Sequence, residues 1–151
     1  MQPFVDPGIL HHANTTVRLE RSFAAEPDRD IVPAVRFGVF CAITGSRVGS
    51  VSYRHGDTEQ LHRYAGHIGY GIDAPYRGQD HATNACRALR NQLARYKAEV
   101  IITCDPENRA SRRVLDKIGA TYLNTVEIPR DHFLRHTRGM THKRRYRWML
   151  G

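Results

Sequence analysis

The spacing of apolar residues switches repeatedly between strand and helix patterns along the chain, and each switch marks a change of element. Val17-Arg18-Leu19-Glu20-Arg21 alternates apolar and charged side chains, the period of a half-buried strand. Val35, Phe37, Val39, Cys41 and Ile43 repeat that period over a longer strand, and Thr44-Gly45-Ser46-Arg47 reads as its turn. Val48 to Arg54 is then the return strand, and Tyr64 to Asp73 a fourth strand bearing Gly66, Gly69 and Gly71. Three glycines weaken a strand unless a bulge or the close approach of a ligand requires them. After Pro75 the period becomes helical, with Ala82, Ala85, Cys86, Leu89, Leu93 and Tyr96 on one face. Val100-Ile101-Ile102 is a short apolar run without alternation, as for a strand covered on both sides and reached by a helical crossover. Asn108 caps a second helix through Ala110, Val114, Leu115 and Ile118, which Gly119 stops. Thr121 to Ile128 and Arg144 to Met149 close the pattern as strands joined by a basic segment.

The predicted order is β-β-β-β-α-β-α-β-β, a mixed α/β fold. With 151 residues, 40% of them hydrophobic, the chain builds one core, read as a domain over residues 15–151. Residues 1–14, with two prolines and no periodicity, read as a lead-in that is poorly ordered or docked. The start has neither a basic region nor an apolar one of signal-peptide type, and no apolar run approaches a membrane span. Cys41, Cys86 and Cys104 form no Cys-x-x-Cys pair, which fits a reducing, cytoplasmic setting. A formal charge of +8 calls for an anionic partner, either nucleic acid or a phosphorylated small molecule.

Two stretches carry the chemistry. The first runs from His67 to Thr83, a glycine-bearing strand passing through the turn Arg77-Gly78-Gln79-Asp80 into the helix start His81-Ala82-Thr83. Such a turn presents unpaired N–H groups and the positive end of a helix dipole, an anion site suited to a pyrophosphate. The second is Asp105-Pro106-Glu107-Asn108-Arg109-Ala110-Ser111, continuing through Leu115 to Ile118-Gly119-Ala120.

Over roughly Gly66 to Tyr122 the two together resemble the GCN5-related N-acetyltransferase (GNAT) superfamily. Arg77-Gly78-Gln79-Asp80-His81-Ala82 resembles its acetyl-CoA loop, and Asn108, Ser111, Leu115 and Gly119 its second motif. The resemblance implies a single-domain, mostly antiparallel sheet with a splayed central strand pair and two main helices. It implies acetyl-CoA as co-substrate, with pantetheine in the gap against Gly71 and Ile72. The pyrophosphate then lies on the N–H groups from Gly78 to Thr83, with Asn108 on the pantetheine arm and Ser111 near the sulfur. An N–H of the Gly71-Ile72 region would polarise the thioester carbonyl, and one such donor is worth about 3 kcal/mol.

The implied activity is direct acetyl transfer to a primary amine of a small molecule or peptide, without a metal. A lysine-like amine costs about 4.6 kcal/mol to deprotonate at pH 7, whereas a thiol leaves as thiolate for about 2 kcal/mol, so a base matters more than an acid. His67, on the splayed strand, is the candidate base. Ser111 is the candidate acid, because Leu115 stands where many relatives carry a tyrosine. Tyr70 reads as packing. Asp80 departs from the family glycine, and its charge beside a phosphate would cost about 3 kcal/mol unless turned outward or paired with Arg77.

Arg144 and Arg145, with Arg147 and Lys143 among aromatics, form a basic C-terminal segment that reads as a solvated hairpin face. The alternative function is a degenerate CoA-binding relative in which that hairpin binds nucleic acid or an acidic partner. His132 and His136 have metal spacing without a third ligand. Arg112-Arg113 is read as exposed or as approaching the 3′-phosphate of the cofactor. The segment between the first two strands spans about ten residues where relatives place two helices, which leaves the acceptor pocket open or completed by a second copy in a homodimer.

Overall fold

The computed structural model describes residues 4–151. Among these residues eight strands form two sheets. The first holds β1 (Leu10–His12), β2 (Thr15–Phe23), β3 (Ala34–Cys41), β4 (Arg47–Arg54) and β5 (Ile68–Ile72) in that order, every neighbour antiparallel. The second holds β6 (Glu99–Cys104), β8 (His142–Met149) and β7 (Thr121–Glu127), with β8 in the middle. Helix α1 (His81–Leu93) links β5 to β6, α2 (Arg109–Ile118) links β6 to β7, and the short α3 (Phe133–Thr137) lies between β7 and β8.

Alternation does its expected work in β3, where Val35, Phe37, Val39 and Cys41 are buried on one face. They meet Ala85, Cys86, Leu89 and Leu93 of α1 in the main core. Asn108 Oδ1 accepts the Ser111 N–H at 3.0 Å, and Gly119 adopts the left-handed conformation that ends α2.

Of the two states expected of the lead-in it takes the docked one: Leu10–His12 pairs with β2 and Phe4 stacks on Tyr96, so the boundary at residue 15, where β2 begins, separates two paired strands. Residues 1–3 of that lead-in lie outside the described residues. Two other expectations are corrected. The fourth strand starts late, because Leu61–Ala65 forms a wide helical turn closed by the Gly66 N–H on Leu61 O. Gly66 has φ 75°, and a side chain there would meet Thr103 N at 3.0 Å and Ile101 O at 3.1 Å, so glycine is needed where the chain passes β6. The basic C-terminal segment is not a solvated face: Arg144 to Met149 belongs to β8, the central strand of its sheet, with Lys143 buried and Arg144 and Arg145 half-buried. No helix among the described residues is long and apolar enough to cross a membrane.

Candidate active site

The two sheets part between β5 and β6. Near the start of β5 the strands are joined: the His67 N–H donates to Ile101 O at 2.7 Å, and the Ile101 N–H donates to His67 Nδ1 at 2.9 Å. Beyond that point no ladder connects them. The Asp73 N–H donates to Val48 O, so the alternation of an antiparallel strand turns the N–H and C=O of Ile72 away from β4 and toward the gap.

A cleft of about 640 Å³ opens there, floored by Tyr70, Gly71 and Ile72 and walled by the turn before α1 on one side and α2 on the other. Gly78 has φ 82° and Asp80 φ 64°, and this left-handed pair curls the chain so that six consecutive N–H groups, from Gly78 to Thr83, find no acceptor among the described residues. Arg77, Arg113 and Lys117 add positive charge to the lining. Unpartnered amides, a helix start and three cations together form an anion cradle.

Against this geometry the comparisons are direct. The family model described as "Acetyltransferase (GNAT) domain" matches residues 3–121. The chain belongs to the GNAT acetyltransferase family. No curated protein matches it in sequence. Among solved structures it is similar to RimL, a ribosomal L7/L12 alpha-N-protein acetyltransferase in complex with coenzyme A, at 16% identity over 94% of this chain and 98% of that one, with TM-score 0.67. It is similar to the microcin C7 self-immunity acetyltransferase MccE in complex with acetyl-CoA and AMP, at 20% identity, 77% and 61% coverage and TM-score 0.60. A GNAT-family acetyltransferase from Bacillus anthracis shares 21% identity, 76% and 65% coverage and TM-score 0.59. The chain thus spans less than two thirds of the latter two, and at these identities the likeness shows the GNAT fold alone.

The predicted residues separate cleanly. Gly71, Ile72, Arg77, Gly78, Asp80, His81, Ala82, Thr83, Asn108 and Ser111 all line the GNAT cleft, whereas Gln79 does not, its carbonyl being held from behind by Asn14 Nδ2 at 3.1 Å. Asp80 sits at the N-cap of α1 without capping it. Its carboxylate pairs with Lys117 Nζ at 2.5 Å rather than with Arg77, whose Nε donates to Ile72 O at 2.9 Å. Lys117 thereby offsets the charge that a phosphate would meet. Arg113 lines the cleft, while Arg112 donates to Pro106 O.

His67 is outside the cleft, which corrects its reading as the base. Its side chain is 1% exposed. Nδ1 accepts from Ile101, Nε2 donates to Gly56 O at 2.9 Å, and burial pushes its pKa down to about 4. A neutral ring with both nitrogens engaged cannot take a substrate proton. Beside it, Asp57, His62 and His67 each bring a ligand atom within 4.8 Å of the others. The Lys97 ammonium bonds Asp57 there and lies 3.4 Å from His67 Nε2, so a cation already fills the space. Asp57 is held at a pKa of about 2, chiefly by Lys97.

Tyr70, read as packing, touches the other candidate: its hydroxyl is 2.7 Å from Ser111 Oγ and donates to Ser111 O at 3.3 Å. Burial raises the Tyr70 pKa, so the phenol keeps its proton at neutral pH. Asn14 is the other residue the sequence did not flag. Besides Gln79 O it accepts from Asn84 Nδ2 at 3.0 Å and from Thr15 Oγ1, which in turn meets His81 Nδ1 at 2.8 Å. The β1–β2 turn, with Ala13 at φ 50°, thus braces the back of the cradle.

The basic residues of β8 are largely engaged inside the molecule. Arg144 Nε donates to Tyr146 Oη, and its guanidinium lies 4.2 Å above the Tyr122 ring. Arg145 donates to His62 O and Asn124 Oδ1, and Arg147 pairs with Glu99 at 3.5 Å. His132 spends Nδ1 on the Leu134 N–H.

Proposed function

We propose that the protein transfers the acetyl group of acetyl-CoA directly to the primary amine of a small molecule or peptide. The observation that carries this is the row of six acceptor-free N–H groups from Gly78 to Thr83, at the mouth of a gap whose floor strand turns the Ile72 N–H inward. The donor set fits the group: amides, Arg77, Arg113 and Lys117 suit a pyrophosphate, and Asn108 beside an open strand edge suits an amide-bearing arm. Two similar structures, of RimL and MccE, are described with coenzyme A and acetyl-CoA respectively.

Acetyl-CoA supplies an activated acyl carbon and a thiol leaving group. The chain's own part is threefold. The Ile72 N–H stabilises negative charge on the carbonyl oxygen, worth about 3 kcal/mol for one such donor. Ser111 and Tyr70 form one hydroxyl pair beside the gap: Ser111 hands a proton to the departing sulfur, Tyr70 refills it and takes up in turn the proton that the amine nitrogen sheds on becoming an amide, so the pair ends as it began. His67 positions rather than catalyses, by fixing where β5 leaves β6. With His67 withdrawn and Asp80 bound to Lys117, no cleft residue here is assigned as base, so the amine arrives neutral. That favours an α-amine, with pKa near 7.7–8.0 and a deprotonation cost of about 1 kcal/mol at pH 7, over a lysine amine at about 4.6 kcal/mol.

The deciding experiment is release of free CoA from acetyl-CoA across an amine panel, together with a thermal shift on adding acetyl-CoA. A shift with turnover that rises through the pKa of the amine is the expected result. No shift and no turnover overturns the reading.

A further inference from the structure

One face of the five-stranded sheet has no helix on it. α1 and the core residues Val17, Phe37, Val39 and Val51 take the other face. Residues paired across a ladder share a face. Arg18 pairs with Gly38, Arg21 with Arg36, Arg36 with Ser52, Ala34 with Arg54 and Phe40 with Arg47. Arg18, Arg21, Arg36, Arg47 and Arg54 therefore stand together on the side away from α1, across three neighbouring strands roughly 10 Å wide. No helix among the described residues packs there.

Glu20, bulged out of the β2–β3 ladder, is the carboxylate that meets this group. It is gripped by Arg47 through two bonds of 2.9 and 2.7 Å, with Arg36 Nε 4.0 Å away. Arg54 is turned onto Ala65 O and Gly66 O, and Asp73 also lies within electrostatic reach of Arg47, but five guanidiniums against these two carboxylates still leave the face positive. Past the gap Lys143 on β8 is only 9% exposed, with Asp105 as well as Arg54 and Arg138 within electrostatic reach. Arg36 Nε is buried with no hydrogen-bond acceptor. Like charges crowd together without their own counter-ions only at a cost, and an anionic partner relieves it.

The form of the anion follows from the same residues. Arg47 and Glu20 make the bidentate contact by which arginine reads a carboxylate. The aromatic rings on this face are already covered: Arg18 lies 4.1 Å over Phe40, and Arg21 4.7 Å over Phe23. Covered rings offer no platform on which bases stack, which disfavours a nucleic acid strand. A second copy carries the same +8 charge and is repelled. The face also reaches the strand that borders the cleft, since Gly69 and Gly71 of β5 pair with Ser52 and Ser50 and so share it, and Gly71 lines the cleft.

We infer that this open arginine face docks a carboxylate-rich polypeptide, whose amine is thereby delivered to the gap between β5 and β6. This rests on the transferase reading above, and names the acceptor class for the same site.

The test uses the full chain and three probes: a fluorescent Glu-rich peptide with a free N-terminus, a neutral peptide of equal length, and a single-stranded RNA oligonucleotide. The expected results are that the acidic peptide binds at least tenfold tighter than the neutral one, falls off with salt, and is acetylated with at least tenfold higher kcat/KM. The double variant Arg18→Glu/Arg21→Glu should remove that preference while leaving acetyl-CoA affinity in place. Should it misfold by circular dichroism, Arg18→Gln/Arg21→Gln should reduce the preference severalfold. Equal binding of both peptides, or an undiminished preference in the folded variants, overturns the inference. Tighter RNA binding that the variants abolish reassigns the face to nucleic acid, and a dimer abolished by them reassigns it to a second copy; either overturns the inference as well. Turnover on simple amines without peptide preference would sink the docking surface alone, whereas selective peptide binding without any acetyl transfer would sink the transferase reading alone.

Discussion

The two ends of β5 are opposites. At its start the chain is stitched to β6: the His67 backbone and both ring nitrogens are bonded, the ring is buried, and Gly66 passes β6 too closely for any side chain. Four residues later Gly71 has nothing within 4 Å of where a side chain would begin, and Ile72 turns its amide to open space. A strand joined at both ends would be one more ladder, and a strand joined at neither would leave the sheets unanchored. Closure at one end and separation at the other make a wedge of defined shape, into which an extended ligand fits as a pseudo-strand.

Removing the stitch should produce the largest effect. His67→Phe puts a somewhat larger ring in the same place, leaves the Ile101 N–H without a partner and Gly56 C=O with only the Lys97 ammonium at 3.4 Å, and should cost about 3 kcal/mol, a fall of about 10 °C in melting temperature by calorimetry. A titration without mutation sharpens the point. His67 has a folded pKa of about 4 against 6.5 unfolded, so below 6.5 the unfolded chain binds the extra proton. Its contribution is complete above pH 6.5 and is lost as the pH falls to about 4, amounting to about 3 kcal/mol. Wild type should lose stability steeply across that window, while His67→Phe should be flatter there. Equal slopes would break the assignment of this end as the anchor.

At the open end, Gly78→Val places a side chain where φ is +82° but where the protein itself offers no clash. The variant should fold and lose about a hundredfold in acetyl-CoA affinity by calorimetric titration, because the cradle amides are displaced. Next, Tyr70→Phe and Ser111→Ala should each lower kcat about tenfold with little change in KM for acetyl-CoA. The double variant should be little worse than either single one, since the two hydroxyls act as a unit. Additive losses would mean that they do not share one proton path. Smallest of all, Lys117→Ala should weaken acetyl-CoA binding a few fold by exposing the Asp80 carboxylate, and adding Asp80→Gly should restore it.

Much of this wedge was legible beforehand for local reasons. Period-2 and period-3.6 patterns report which face is buried, and the loop from Arg77 to Thr83 announced itself because a helix start must leave amides unpaired wherever it occurs. Asn108, Ser111 and Gly119 were readable as cap, motif and stop within a dozen residues. The role of His67 is not legible in this way, because a histidine on a functional strand looks the same in sequence whether it faces substrate or a neighbouring strand 34 positions away. The same holds for Tyr70, whose partner Ser111 is 41 positions along. Asn14 left no trace, since a lead-in asparagine acquires meaning only when β1 folds against the loop it braces.

The amino-acid order alone thus determined most of the elements, the cap and stop of α2, the amide cradle and the family resemblance, all properties of segments short enough for near neighbours to set them. The tertiary structure decided which groups meet: that Lys117 rather than Arg77 takes the Asp80 charge, that His67 holds rather than reacts, and that five arginines on three strands share one uncovered face. Those outcomes depend on strand register and on the burial of charge. Neither quantity exists until distant segments are brought together.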